Sequence, residues 1–219
     1  MTISHHPTDE TLLRYAAANL PSAAALVVAT HRAACPHCHA CIRQFEAIGG
    51  VLLEETGTAP VGEGRITRAL ALLDAPASVP TRPPAAWPSH LRMPQGLKLP
   101  APLSGCQIGP WRWLGIGIRA SKVTIPGDPT ARLNLLRIGA GMSLPDHGHS
   151  GIEYTQVIHG SFSDEQGTYR PGDLSQMGAD IAHQPMVDGD KECICLAAIE
   201  GDMVFSGLIG RLIQPFIRL

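Results

Sequence analysis

No run in this sequence is apolar for long enough to cross a bilayer. The longest candidate, "AAANLPSAAALVVATH", is interrupted at Asn19 and Pro21 and falls short of the ~20 consecutive apolar residues a spanning helix needs. The opening "MTISHHPTDE" lacks both the basic start and the apolar core of a secretory signal, so the expectation is a soluble, cytoplasmic protein with no membrane contact. A basic excess is missing as well. The formal net charge is −2, which favours no phosphate backbone, and direct nucleic-acid binding is not expected. Cysteine is scarce too: six in 219 residues are too few for a disulfide-stapled scaffold. In a reducing compartment a close cluster of cysteine and histidine more often holds metal. What the chain does have is a 44% hydrophobic share, enough for one sizeable core or two modest ones.

The texture changes along the chain. Residues 9–75 carry helical spacing. Leu12, Leu13, Tyr15, Ala16 and Leu20 form one apolar stripe with Thr8 or Asp9 as its cap, and Pro21 or Ser22 restarts the chain for a second helix through Leu26, Val27 and Thr30. Cys38, Cys41, Ile42, Phe45, Ile48 and Leu52 predict a third helix, opened by Pro36 and loosened at Gly49 and Gly50. Ile66, Ala69, Leu70 and Leu73 mark a shorter fourth. These stripes are expected to be ordinary bundle core. Between Pro76 and Pro102 lie eight of the nineteen prolines, a density that neither helix nor central strand tolerates. Residues 76–105 therefore read as an extended, semi-rigid linker, with Trp87 either docked or solvated. Beyond it, short runs such as "WRWLGIGIRASKVTI", "ARLNLLRIG", "IEYTQVIHG", "ECICLAAI" and "LIQPFIRL" predict a small antiparallel sandwich or barrel over 106–219. The expectation is an α + β protein of two domains: a helical bundle over 1–75 and an antiparallel β-domain.

The segment "THRAACPHCHAC", residues 30–41, packs three histidines and three cysteines into twelve positions. His31 and Cys35 are four apart at the end of a helix and share a face, and Cys38 follows across Pro36 in the first turn of the next. Thiolate and imidazole donors at one corner suit zinc, and a closed structural site wants four. His37 and His39 should splay away on the helix, and Cys41 should face the core. His6, just ahead of the first helix, is the chosen fourth ligand, with His5 as the alternative. His31-x3-Cys35-x2-Cys38 with an N-terminal histidine, on a short bundle, resembles the zinc-binding anti-sigma domains over about the first third of the chain. The resemblance implies a domain that holds an extracytoplasmic-function sigma factor away from RNA polymerase, naturally in a one-to-one complex.

"GMSLPDHGHSGIEYTQVIHG" resembles the first cupin motif at every fixed position: Gly141, His147, His149, Glu153 and Gly160. Residues 147, 149 and 153 share parity and can face one side of an extended segment, with Gly151 sparing the ion a crowding side chain. His159 reads as a strand-end histidine outside the site. The second cupin motif is preserved less well. "RPGDLSQMGADIAHQP" offers a turn at Pro171-Gly172 and, by the resemblance, His183 as fourth ligand, with longer spacing and without the terminal asparagine. Such ligands accept zinc, iron, manganese or nickel, zinc being the first expectation for this second divalent ion. Cys193 and Cys195 share one side of a strand and read either as a redox-responsive thiol pair or as small buried hydrophobes. A direct bond between alternate residues would be strained.

A zinc bundle followed by a cupin barrel is similar to the ChrR-type anti-sigma factors over nearly the whole chain, including the closing "RLIQPFIRL". That resemblance implies that the bundle inhibits the sigma factor while the cupin is needed for release in response to singlet oxygen or organic peroxides. Two other classes compete: a metal-dependent cupin enzyme, such as a dioxygenase or isomerase, whose bundle serves dimerisation or targeting, and a general zinc-dependent interaction module. Co-purification with a sigma factor separates the first class from these.

Overall fold

A computed structural model of the protein describes residues 2–74 and 86–205. The beginning of the proline-rich stretch and the closing "RLIQPFIRL" lie outside the described residues.

Helix α1 (Asp9–Ala16) starts at Thr8, whose side chain accepts from the Thr11 amide, with Asp9 and Glu10 in the first turn where the helix dipole favours acid. Helix α2 (Ser22–Ala34) ends at Cys35, which also caps α3 (Pro36–Glu54) by accepting from the Cys38 amide, with Pro36 at a first-turn position where its missing N–H costs nothing. Helix α3 passes through Gly49 and Gly50 without a break. Both glycines are exposed, and their propensity cost of about 1 kcal/mol each weakens the helix without ending it. Helix α4 (Arg65–Leu73) follows Gly64, which adopts the left-handed φ of 75°. Leu12, Val28 and Ile42 are fully buried among the first three helices, together with Cys35 and Cys38.

The expectation of bundle core fails for the other stripes. Leu13 is 49% exposed, and none of the α4 residues is buried. Three helices suffice to close this small core, so the apolar faces of α4 and of the last turns of α3 remain uncovered.

The second half is antiparallel, the cupin architecture expected from the sequence. One sheet holds β1 (Gln107–Ile108), β3 (Ile118–Thr124), β4 (Leu133–Ile138), β11 (Cys193–Ile199), β6 (Glu153–His159) and β9 (Leu174–Met177) in that order, with β2 (Arg112–Gly115) also pairing β3. Facing it are a three-stranded sheet of β10 (Met186–Val187), β7 (Phe162–Asp164) and β8 (Gly167–Tyr169), and a pair of β12 (Met203–Phe205) with β5 (His147–His149).

Strand β11 is buried at six successive positions, which means that both of its faces are covered. Inside, Cys193 and Cys195 join Val157, Phe162, Tyr169, Met177 and Val187. Outside, Leu196 and Ala198 pack with Tyr154 and Leu174 against Ala23, Ala24 and Val27 of α2. The same outer layer includes Leu91, Leu99 and Leu103, with Trp87 packed against it. Residues 86–105 are therefore no free linker. Two short 3-10 turns, Ser89–Leu91 and Ala101–Gly105, let a proline-rich segment lay Leu91, Leu99 and Leu103 in this layer. The Trp111 indole N–H donates to the Leu91 carbonyl at 2.8 Å and helps hold it there.

Candidate metal centres

The junction between α2 and α3 turns sharply at Cys35, so His31, Cys35 and Cys38 converge from two helix ends. His6 reaches the same point from the extended tail: its Nδ1 lies 3.4 Å from the sulfurs of both Cys35 and Cys38. The four donor atoms all lie within 4.8 Å of one another. Donors placed around one ion at about 2.0–2.3 Å stand roughly 3.5 Å apart, so the spacing suits a tetrahedral zinc.

The protonation chemistry agrees with a cation at this corner. His31 is fully buried; burial, partly offset by its bond to the Gly172 carbonyl, lowers its pKa to about 4, so its imidazole is neutral at pH 7, the form a metal ion would need. Its Nδ1 donates to that carbonyl at 2.9 Å, which fixes the tautomer and leaves Nε2 buried without a hydrogen-bond partner, facing the cluster. Burial, and then the adjacent Cys35, push the Cys38 thiol up. Two thiolates in a dry corner need a positive charge between them. His5 points elsewhere, its ring tilted at 45° against that of Tyr169 with centroids 4.5 Å apart. His37 and His39 are exposed, and Cys41 is half-buried beside the bundle core.

The second cluster sits inside the barrel. His147, His149, Glu153 and His183 are all buried, their donor atoms again within 4.8 Å. Glu153 Oε2 lies 3.3 Å from His149 Nε2 and 3.4 Å from His183 Nε2. His147 Nδ1 donates to the Pro145 carbonyl at 2.7 Å, which turns its Nε2 inward. His183 enters from another segment, bridged to His147 by two backbone hydrogen bonds of 3.0 and 3.2 Å. Both ring nitrogens of His149 and Nε2 of His183 are buried without a hydrogen bond of good geometry, although the two Nε2 atoms face the Glu153 carboxylate. Buried polar atoms left unpaired in this number point to an ion as their missing partner.

Burial opposes the charged forms here. It lowers His147 and His149. It also opposes ionisation of Glu153, but the three imidazoles outweigh it and hold the carboxylate ionised. For His183 burial is likewise overridden, by the carboxylates of Asp164 and Glu153, and its pKa rises to about 9. A divalent ion would displace that proton and take over the charge balance.

The barrel cluster departs from the sequence expectation in two details. The first three residues do not lie along one extended segment: the chain turns at 150–152, placing His147 and His149 on β5 and Glu153 at the start of β6. Gly151 serves that turn and not the ion, because a Cβ there would run into the Glu200 carbonyl. His159 remains outside the cluster, half-buried opposite Ile194 at a bulge.

Cys193 and Cys195 are buried with their sulfurs 3.5 Å apart. The hydrogen bond to Cys193, and then burial, raise the Cys195 thiol well above its usual range. Cys195 also lines a cavity of about 20 Å³ with His147, Glu153, Thr155, Ser175 and His183. That volume is enough for a water-sized species. Asp164 was missed in the sequence; it accepts from His183 Nδ1 at 3.0 Å, and no local spacing marks it. Asp173 was missed as well, although it follows the noted Pro171-Gly172 turn.

A cysteine and histidine corner on a helical bundle, joined to a cupin barrel with its own histidine and glutamate cluster, defines an α + β protein with two clusters that could each hold a metal ion. The family model for the ChrR cupin-like domain matches residues 106–200. Over 224 aligned residues the chain is 37% identical to the anti-sigma-E factor ChrR of Cereibacter sphaeroides, covering all of both chains. It also matches the crystal structure of Rhodobacter sphaeroides SigE in complex with the anti-sigma ChrR, with a TM-score of 0.73 and 35% identity over 91% of this chain and 100% of that one. The chain belongs to the ChrR family of anti-sigma factors, and so is a regulator rather than an enzyme. Among the described residues no helix is long and apolar enough to cross a membrane.

Proposed function

We propose that the protein sequesters an extracytoplasmic-function sigma factor in a one-to-one cytoplasmic complex and releases it under oxidative stress. The observation that carries this reading is the uncovered apolar surface on α3 and α4. Ile48, Leu52 and Leu53 on α3 and Ile66, Leu70 and Leu73 on α4 are each more than half exposed. A soluble monomer seldom leaves such a set facing water unless a partner covers it. The crystallised relative, which is seen with SigE, supports the identity of that partner. Burial at roughly 25 cal/mol per Å² provides the attraction, less the costs of association.

In this reading His6, His31, Cys35 and Cys38 hold a zinc ion, and His147, His149, Glu153 and His183 hold a second divalent ion, zinc as first choice. The first ion supplies a fixed cross-link between the N-terminal tail, the end of α2 and the start of α3, and so aims α3 at the sigma factor. The barrel is the sensor. Its cavity suits a small oxidant such as singlet oxygen, and Cys195 in the cavity wall, with Cys193 beside it, is the thiol pair within reach of that oxidant.

The test is co-expression of the whole chain with candidate sigma factors, followed by metal analysis of the complex. A zinc-containing one-to-one complex is expected, and replacing Cys35 and Cys38 with Ser should remove one zinc and weaken binding. Failure to retain any such sigma factor, or full affinity in the zinc-free variant, defeats the reading. His149→Ala should bind the sigma factor normally and fail to release it when singlet oxygen is generated photochemically.

A further inference from the structure

Four residues of one short barrel stretch, Gly172, Asp173, Leu174 and Gln176, touch the helical domain and its N-terminal tail where two of the four candidate ligands are positioned. The Gly172 carbonyl accepts from His31 Nδ1 at 2.9 Å. The Asp173 carboxylate, 1% exposed, accepts from the backbone amides of Ser4 at 2.7 Å and His5 at 3.1 Å, the two residues preceding His6. The Leu174 amide donates to the His5 carbonyl at 3.1 Å, and Gln176 Oε1 accepts from the Thr8 amide at 3.1 Å. Gly172 itself is confined: φ is +98°, and a Cβ would approach Ile3 Cδ1 to 2.8 Å. The tail carrying His6 is thus laid along the edge of the barrel as an added extended segment, with a buried carboxylate as its anchor.

The same stretch also runs beside the other centre, through Ser175 and the following Met177. The Gly172 amide donates to the Val157 carbonyl at 2.9 Å, and the Val157 amide to the Asp173 carbonyl at 3.0 Å. Ser175 lines the cavity beside Glu153 and His183, and Met177 pairs in register with Glu153. One short strand has the tail on one side and the barrel cluster on the other.

We propose that residues 172–176 are an interdomain clasp that positions His6 and His31, so that the N-terminal site's hold on its ion depends on the cupin domain. This rests on the reading of His6, His31, Cys35 and Cys38 as metal ligands. Asp173 is a positioning residue, acting on His6 through the two amides it gathers. Outer partners of this kind typically change metal affinity by about 10–100-fold. By linkage, the ion strengthens the docking of the two domains by the same factor.

The test loads the full chain with cobalt(II) and titrates it against a competing chelator. Thiolate-to-cobalt charge-transfer absorption reports the N-terminal site, because the cupin set contains no cysteine. Asp173→Ala should lower cobalt affinity at that site about tenfold or more, while Asp173→Asn, whose side-chain oxygen still accepts from the amides, should restore most of it. Ser4→Pro keeps the carboxylate and removes one donor from an exposed tail residue, so it remains informative should Asp173→Ala not fold; it too should weaken cobalt binding. Affinities within twofold of wild type in Ser4→Pro and in any folded Asp173→Ala overturn the clasp. Absence of the thiolate band in the wild-type protein instead removes the metal reading, and the clasp with it.

Discussion

Asp164, at the end of β7, holds the ring of His183 through a 3.0 Å hydrogen bond to Nδ1, and both side chains are almost wholly removed from solvent. The bond fixes which imidazole nitrogen faces the barrel cluster. Asp164→Ala frees the ring to turn, so the affinity of the barrel for its divalent ion should fall by about 10–100-fold while zinc at the helical site stays bound. Competition with a chelator, reading both ions, checks this; unchanged retention in the barrel contradicts the assigned role.

Ile42 is fully buried against Leu12, Val28 and the two cysteines of the α2–α3 junction. Ile42→Ala should cost about 2–5 kcal/mol, because the small bundle has few neighbours able to collapse into the space. Chemical denaturation of the zinc-loaded full chain, followed by helical circular dichroism, reads the loss.

Leu52, 59% exposed on α3, offers the opposite case. Leu52→Asp should leave folding stability within about 0.5 kcal/mol, since an exposed side chain has little to lose. Binding to the sigma factor should drop by at least tenfold, measured by calorimetry on the purified pair. A variant with full affinity places the partner on a different face.

Asp173 makes the fold sensitive to acid. Burial alone would raise its pKa, but the amides of Ser4, Arg170 and His5 outweigh burial and hold it below the ordinary 3.8, with the His5 ring 3.7 Å away. A depressed carboxylate contributes stability that is complete above its unfolded pKa and is lost as pH falls through the lower folded value. Urea unfolding should therefore show the wild type losing more stability between pH 5 and pH 3 than Asp173→Asn does. Parallel losses in the two proteins would contradict this.

Much of both centres was legible because local geometry sets it. His31, Cys35 and Cys38 fall together wherever one helix ends and Pro36 opens the next, since a four-residue spacing places two side chains on one face. Thr8 was a readable cap, and the series of short β-runs foretold an antiparallel domain. The choice between His5 and His6 was not readable: a one-residue step along an extended tail reverses the direction of the side chain, and only the docking of that tail on Asp173 sets its phase.

The sequence by itself determined the helix junction, the donor types at both clusters and the two textures of the chain, because these follow from periodicities of a few residues and from the chemistry of single side chains. Tertiary structure alone decided that a proline-rich stretch would become core, that Gly151 would yield to a carbonyl 49 positions away, and that His31 would meet Gly172 across 141 positions. Contacts at such separations arise when faces already formed are packed together; no spacing within a segment encodes which face will meet which, so they become visible only in the folded molecule.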